Sequence, residues 1–215
     1  MAKLPLPPGP EHLASLRQAE DVVALAPMTR LVRIYRTGGR HPTSWRSLRT
    51  FGPVPGGRFD PHPAPADGRP ADAPGYGVTY LGLSLQTALA EVFQDTRTVD
   101  RRTGQPYLTV FRLRRAVHLL DLAGSWPTRA GASQAISSGR RDRAQAWARA
   151  VYSAYADVEG LWYPSAMDGG APAVCLWQRG AAALPRTPEV NLPLDAPALA
   201  LPLARACAPI GYRLL

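Results

Sequence analysis

Five polar side chains stand where the surrounding pattern is apolar. Arg33 interrupts Leu31-Val32 and Ile34, and Arg58 sits between Gly57 and Phe59. Tyr80 lies in a short apolar run, Glu91 falls in the helical run that follows it, and Ser165 comes after Trp162-Tyr163-Pro164. A planar, permanently charged guanidinium can take an anionic group bidentately. A carboxylate can stabilise positive charge that develops in a reaction. Each residue also has a plain structural reading. Arg33 fits an outward position of a half-buried strand, Arg58 a loop arginine, Tyr80 a core residue and Ser165 a strand end. Their joint occurrence is what asks for explanation.

Several other chemistries lack their residues. No Gly-x-Gly-x-x-Gly follows a strand and no Gly-Lys-Ser/Thr phosphate loop is present. Ser165 stands in Tyr-Pro-Ser-Ala, outside the Gly-x-Ser-x-Gly elbow of serine hydrolases. The four histidines are scattered and no His-Glu-x-x-His occurs, so no metal site is expected. Cys175 and Cys207 form neither a disulfide framework nor a metal-ligand spacing, and Cys175 reads as a small core residue.

The elements that must position the five begin with Val78–Phe93, which reads as strand, tight turn and helix. Ser84 occupies the N-cap position. Leu85, Ala88, Leu89, Val92 and Phe93 recur with helical period and form a buried stripe. At 100° per residue Glu91 falls about 120° from the centre of that stripe. It is therefore either a solvated flank charge or the functional group of a site at the sheet edge. Leu31–Arg36, Pro106–Leu113 and Ala116–Leu122 read as strands, as do Leu161–Ser165 and Ala173–Trp177 around a Gly-rich turn. A helix is expected over Asp142–Asp157 with Gly160 as its stop, and a weak helical pattern spans Glu11–Leu25. Residues 37–77 form a long Gly- and Pro-rich irregular segment, of a length that is usually functional or disordered. Residues 185–209 are Pro- and Ala-rich, and Ile210–Leu215 could add a last strand. Strands and helices mix without a βαβ rhythm, which predicts an α+β domain.

Composition narrows the class. The chain has 215 residues, 46% of them hydrophobic, and no apolar run long enough to span a membrane. The N-terminus has no secretory signal pattern, so a reducing cytoplasm is the default compartment. The formal net charge is +9, and Lys3 is the only lysine among 25 basic residues. Such a charge fits an anionic ligand, nucleic acid or an acidic partner. It also fits a composition rich in Ala, Arg, Pro and Gly together. The arginines are spread along the chain, so direct nucleic-acid binding, which needs a patch or stripe, is not expected.

With these residues in view, the chain resembles the RES domain, named for an Arg, a Glu and a Ser. The matching pieces are Leu-Val-Arg33-Ile-Tyr, Gly57-Arg58-Phe59-Asp60-Pro61 and Tyr80-Leu-Gly-Leu-Ser-Leu-Gln-Thr-Ala-Leu-Ala-Glu91. They continue with Trp147-Ala-Arg-Ala-Val, Gly160-Leu-Trp-Tyr-Pro-Ser165 and Ala173-Val-Cys-Leu-Trp. The resemblance covers about residues 30–180, with a loop between Asp60 and Tyr80 longer than the family's. It divides the chain into an extension at 1–29, a RES domain at 30–184 and a Pro/Ala-rich segment at 185–215 packing on the domain.

The resemblance implies an ADP-ribosyltransferase-like mixed or split sheet with flanking helices. It implies a toxin that degrades NAD by cleaving the nicotinamide–ribose bond, with phosphate or water as acceptor, neutralised by an Xre-type antitoxin. Arg33, Glu91 and Ser165 become the catalytic candidates, with Arg58, Tyr80, Trp162 and Tyr163 binding substrate. NAD is then substrate, no resident cofactor is needed, and inorganic phosphate is a possible co-substrate. Transfer of ADP-ribose to a protein is the second reading. A basic binding module without turnover is the third. A homo-oligomer remains open.

Overall fold

The computed structural model describes residues 4–64 and 67–215. Lys3, and Pro65-Ala66 within the long loop, lie outside them. In chain order the elements are α1 (Pro10–Leu16), β1 (Val22–Leu25), β2 (Arg30–Arg36), β3 (Phe51–Gly52), β4 (Ala71–Asp72), β5 (Val78–Gly82), α2 (Leu85–Val92), β6 (Thr98–Val99) and β7 (Pro106–Arg112). Then follow β8 (Val117–Asp121), α3 (Trp126–Arg129), α4 (Ala135–Ser138), α5 (Arg141–Ala154), β9 (Gly160–Pro164), β10 (Pro172–Trp177), β11 (Val190–Pro193), α6 (Ala200–Cys207) and β12 (Arg213–Leu214). Eight strands form one sheet in the order β1-β8-β9-β10-β5-β2-β7-β11. Its pairs are antiparallel except β8 with β9, which is parallel. The α+β expectation holds, with a large mixed sheet and several helices.

Two helical layers sit side by side on one face. Over β8, β9 and β10, α5 buries Trp147, Val151 and Tyr152 against Leu120, Leu161, Cys175 and Trp177. Over β2 and β7, α2 and α6 bury Leu89 and Leu203 against Val32, Ile34 and Leu108. The opposite face carries a third cluster, with Leu31, Leu81, Phe111 and Val174 under Trp45 and Leu48 of the long loop. Between the two halves the sheet nearly splits. β2 meets β5 through the single pair Val32↔Gly82, whereas β2 pairs along its whole length with β7. Past that pair the two strands diverge and leave space between them.

Several local expectations change. The helical pattern of Glu11–Leu25 ends at Leu16, because the β-branched Val22-Val23 pair as strand β1 with Leu120 and Leu119. Helix α5 ends at Ala154 without Gly160, which opens β9 instead. A Cβ at Gly160 would lie 2.2 Å from the Cys175 carbonyl oxygen, so close strand approach explains that glycine. The Pro/Ala-rich C-terminal segment contains edge strand β11 and helix α6. Proline in the first helical turn is tolerated, and alanine favours helix.

Candidate functional site

Glu91 is where the sheet, helix α2 and the β9–β10 hairpin meet. Ser84 caps α2 by accepting a bond from the Thr87 N–H at 3.0 Å, as its position predicts. The helix stripe packs on β2, and this fixes the flank that carries Glu91. One carboxylate oxygen accepts from the Ser165 hydroxyl at 2.6 Å and the other from the Tyr163 hydroxyl at 3.0 Å. Both donors come from β9 or the residue after it. The hairpin is in turn tied to α2: Asp168 accepts from Thr87 Oγ1 at 2.8 Å and from Gln86 Nε2 at 2.5 Å. Ser165 Oγ also accepts the Met167 N–H. Tyr163 is held well above the usual tyrosine range by burial and by the adjacent Glu91 charge. It therefore stays a protonated donor. Among the described residues Glu91 forms no ion pair, in a chain rich in arginine.

The carboxylate opens into a cavity of about 150 Å³ lined also by Arg58, Tyr80, Tyr163, Ser137 and Arg141. Arg58 donates to the Gly139 carbonyl at 2.6 Å. Burial lowers its pKa, the like charge of Arg141 adds to this, and Glu91 opposes both. Tyr80 uses its hydroxyl elsewhere: it donates to Asp60 at 2.9 Å and accepts from the Phe59 N–H at 2.9 Å. What it offers the cavity is its ring.

A larger cleft of about 520 Å³ fills the space where β2 and β5 diverge. Arg33, Tyr35, Arg36, Arg40, Arg49, Thr79 and Tyr80 line it, and among the described residues no Asp or Glu does. Tyr80 and Val92 border both spaces and a small third one beside Glu91, so the three form a continuous groove. Arg33 is 7% exposed, which removes the outward-facing reading. It alternates away from Ile34, toward the sheet face opposite Glu91, and donates to the carbonyls of Trp45 at 2.6 Å and Ser44 at 3.2 Å. Burial lowers its pKa to about 10, so it remains charged at neutral pH. The structure thus brings Glu91, Ser165, Tyr163, Arg58 and Tyr80 together and places Arg33 further along the groove.

Trp162 is not brought to the site. It packs with the third cluster, on the other face from Tyr163. Successive strand residues point to opposite faces, so an adjacent Trp-Tyr pair cannot serve one site.

Sequence reasoning missed Asp60, Ser137 and Arg141. Asp60 is fully buried and accepts from Tyr80, from Arg49 Nη2 at 2.7 Å and from the Val54 N–H at 2.9 Å. Its carboxylate folds back onto Gly57, where a Cβ would lie 2.2 Å from it. The spacing of Gly57 and Asp60 was visible within one motif, but its meaning needed the turn. Among the described residues no three potential metal ligands gather, and no helix is long and apolar enough to cross a membrane.

No curated protein matches the chain. The family model of the RES domain matches residues 30–195. RES domains are associated with NAD-related toxin function and with toxin–antitoxin contexts. The match spans β2 through β11 and with it the whole groove, and the chain belongs to the RES-domain family.

Proposed function

We propose that this protein cleaves the bond between nicotinamide and ribose in NAD and acts as a toxin held in check by a cognate antitoxin. One observation carries the reading. Glu91 presents a carboxylate to a cavity, fixed by two neutral hydroxyls and, among the described residues, held in no ion pair. Such a charge is available to a cationic ligand. Nicotinamide in NAD is cationic, and the ribose becomes oxocarbenium-like as the bond breaks. The bonding electron pair moves to the ring nitrogen, which leaves neutral, so no general acid is required. Ser165 and Tyr163 hold the carboxylate where the positive charge develops. The Tyr80 ring offers a stacking face. The acid-free cleft around Arg33 receives the pyrophosphate, which suits guanidinium geometry. The divergence of β2 from β5 supports an ADP-ribosyltransferase-like reading of the sheet.

The purified chain is expected to release nicotinamide from NAD, and Glu91→Gln to lose at least about a hundredfold in kcat while remaining folded. A Glu91→Gln protein that releases nicotinamide at the parental rate overturns the catalytic role. Label transferred from NAD to protein would favour ADP-ribosylation. NAD that stays intact would favour a binding module.

The antitoxin is proposed as a separate protein of Xre type whose acidic segment or C-terminal carboxylate enters the basic groove near Arg33 and Arg58. Steady-state inhibition by such a partner should weaken as NAD rises. Inhibition indifferent to NAD concentration would place the partner elsewhere.

A further inference from the structure

The large cleft holds more cations than a pyrophosphate requires, and they are unequally committed. Arg33 makes both of its carbonyl bonds from Nη1, and Arg49 Nη2 is paired with Asp60 at 2.7 Å. Arg36 and Arg40 line the same cleft, are exposed, and form no ion pair among the described residues. The Arg36 guanidinium lies 5.9 Å from the centre of the Phe93 ring. Asp100 sits in the field of Arg36, but its carboxylate turns to the N–H groups of Arg102 at 2.9 Å and Thr103 at 3.0 Å. Beside Arg40, His41 also lines the cleft and stacks on the exposed Phe51 ring, with centroids 6.2 Å apart. Deeper in, Thr79 shares the sheet face of Arg33, since both alternate with residues of the opposite layers. Thr79 is 3% exposed, and its hydroxyl has no partner among the described residues. An unpaired buried hydroxyl costs stability, so its retention points to a ligand oxygen in the cleft.

We propose that Arg36 and Arg40 form a subsite for a phosphate on the 2′-oxygen of the adenine ribose, so that the groove takes NADP at least as readily as NAD. This rests on the nicotinamide–ribose cleavage proposed above and names its substrate class. Dinucleotide sites that select NAD aim a carboxylate at the adenosine 2′-hydroxyl, which accepts its bond and repels a phosphate there; an arginine in that place does the reverse. Among the described residues no Asp or Glu lines the cleft, so its walls carry no such rejecting charge. A phosphate monoester adds about −1.5 to −2 charge near neutral pH and offers three acceptor oxygens, which two uncommitted guanidinia can meet. Arg33 and the Thr79 hydroxyl serve the pyrophosphate in the depth of the cleft. Arg36 and Arg40 are left at the rim for charge further along the dinucleotide. The stacked His41 and Phe51 rings offer the adenine a face at the same rim. The extra phosphate is remote from the nicotinamide ribose. The same carbon–nitrogen bond therefore breaks, and its electron pair leaves with neutral nicotinamide as before.

The test has two arms on the full chain. In the first, AMP and adenosine 2′,5′-bisphosphate are titrated by calorimetry. The bisphosphate should bind about tenfold tighter or more, and Arg36→Gln and Arg40→Gln should each remove most of that preference. Thr79→Val should weaken both nucleotides by a similar factor. Equal affinity for the two nucleotides in the parent chain overturns the subsite, whatever happens to nicotinamide. A preference that falls in Thr79→Val and persists in both arginine variants puts the extra phosphate in the depth of the cleft, and the rim assignment fails. In the second arm, nicotinamide release is measured from NAD and from NADP. The kcat/KM for NADP should equal or exceed that for NAD, and Arg40→Gln should lower the NADP-to-NAD ratio about tenfold. NAD cleaved while NADP stays intact leaves the cleavage reading standing and sinks the proposal. Selective binding of the bisphosphate with neither dinucleotide cleaved supports the subsite and sinks the cleavage reading instead.

Discussion

Ser165 and Tyr163 hold one carboxylate by opposite oxygens, and the two grips differ in rigidity. The Ser165 hydroxyl also accepts the Met167 N–H, and its backbone N–H bonds the Ala171 carbonyl within the hairpin. Tyr163 reaches from a strand interior and packs edge-on against Phe59. A hydrogen bond to a charged group contributes about 1.5–3 kcal/mol. Ser165→Ala and Tyr163→Phe should therefore each lower kcat by roughly ten- to a hundredfold. Their double variant should fall by less than the product, since both act through one carboxylate. Steady-state kinetics on the three proteins checks this. Single variants with parental kcat would mean that Glu91 needs no such anchoring. Arg33 shows the opposite economy. Its charge is buried and bonded to carbonyls with no carboxylate partner among the described residues, and that burial favours the neutral form and costs stability. A residue kept at such a cost is a functional candidate by physics as well as by motif.

Among the elements, the segment from Arg49 to His62 straps the groove in place. It is fastened by Asp60 to Tyr80, by Gln145 to the carbonyls of Val54 and Gly57, and by fully buried His62. The imidazole bonds the Thr50 carbonyl through Nε2 at 2.9 Å, while Nδ1 has no partner among the described residues. Burial lowers the His62 pKa; Arg49 adds to this, and Asp60, Asp72 and the Thr50 carbonyl oppose it. The sign follows by linkage. Between the folded value and about 6.5 the unfolded chain binds more protons, so stability falls as pH drops through that window. Acidification from pH 7.5 to 5 should lower the thermal midpoint and lower the amide-exchange protection factors, taken against the intrinsic rate at each pH, at Val54 and Phe59. His62→Gln, which cannot take the proton, should flatten that slope. An identical slope in the variant would assign the acid sensitivity to other groups.

For the whole molecule, the net charge of +9 is realised unevenly. Eight arginine–carboxylate pairs among the described residues hold some of the arginines, and the excess of cations remains. The large cleft keeps Arg33, Arg36, Arg40 and Arg49 on its walls, and among the described residues only Arg49 of these four is paired with a carboxylate, that of Asp60. A cleft of one sign with low-dielectric walls concentrates anionic substrate. Raising salt from about 0.1 to about 1 M shrinks the screening length from roughly 10 to roughly 3 Å. The KM for NAD should then rise severalfold with kcat little changed. A KM indifferent to salt would show that the cleft's charge is not used in binding.

What the sequence determined by itself was local. Apolar period and capping chemistry placed Ser84, the α2 stripe and Glu91 on its flank, because sterics and burial act over one or two turns. Strand alternation placed β2, β5, β7, β8, β9 and β10 to within a residue or two. The RES motifs named Arg33, Glu91 and Ser165 without saying how they meet. Tertiary structure decided what needed strand order. The Ser165–Glu91 bond joins residues 74 apart in sequence, and no pattern within either segment encodes it. The parting of β2 from β5 made the groove that lies beside Arg33. The packing of α4 and the start of α5 carried Ser137 and Arg141, unremarkable in sequence, to the cavity that holds Glu91. Local residue pattern fixes which side of an element is apolar; only the assembled sheet fixes which polar flanks face each other.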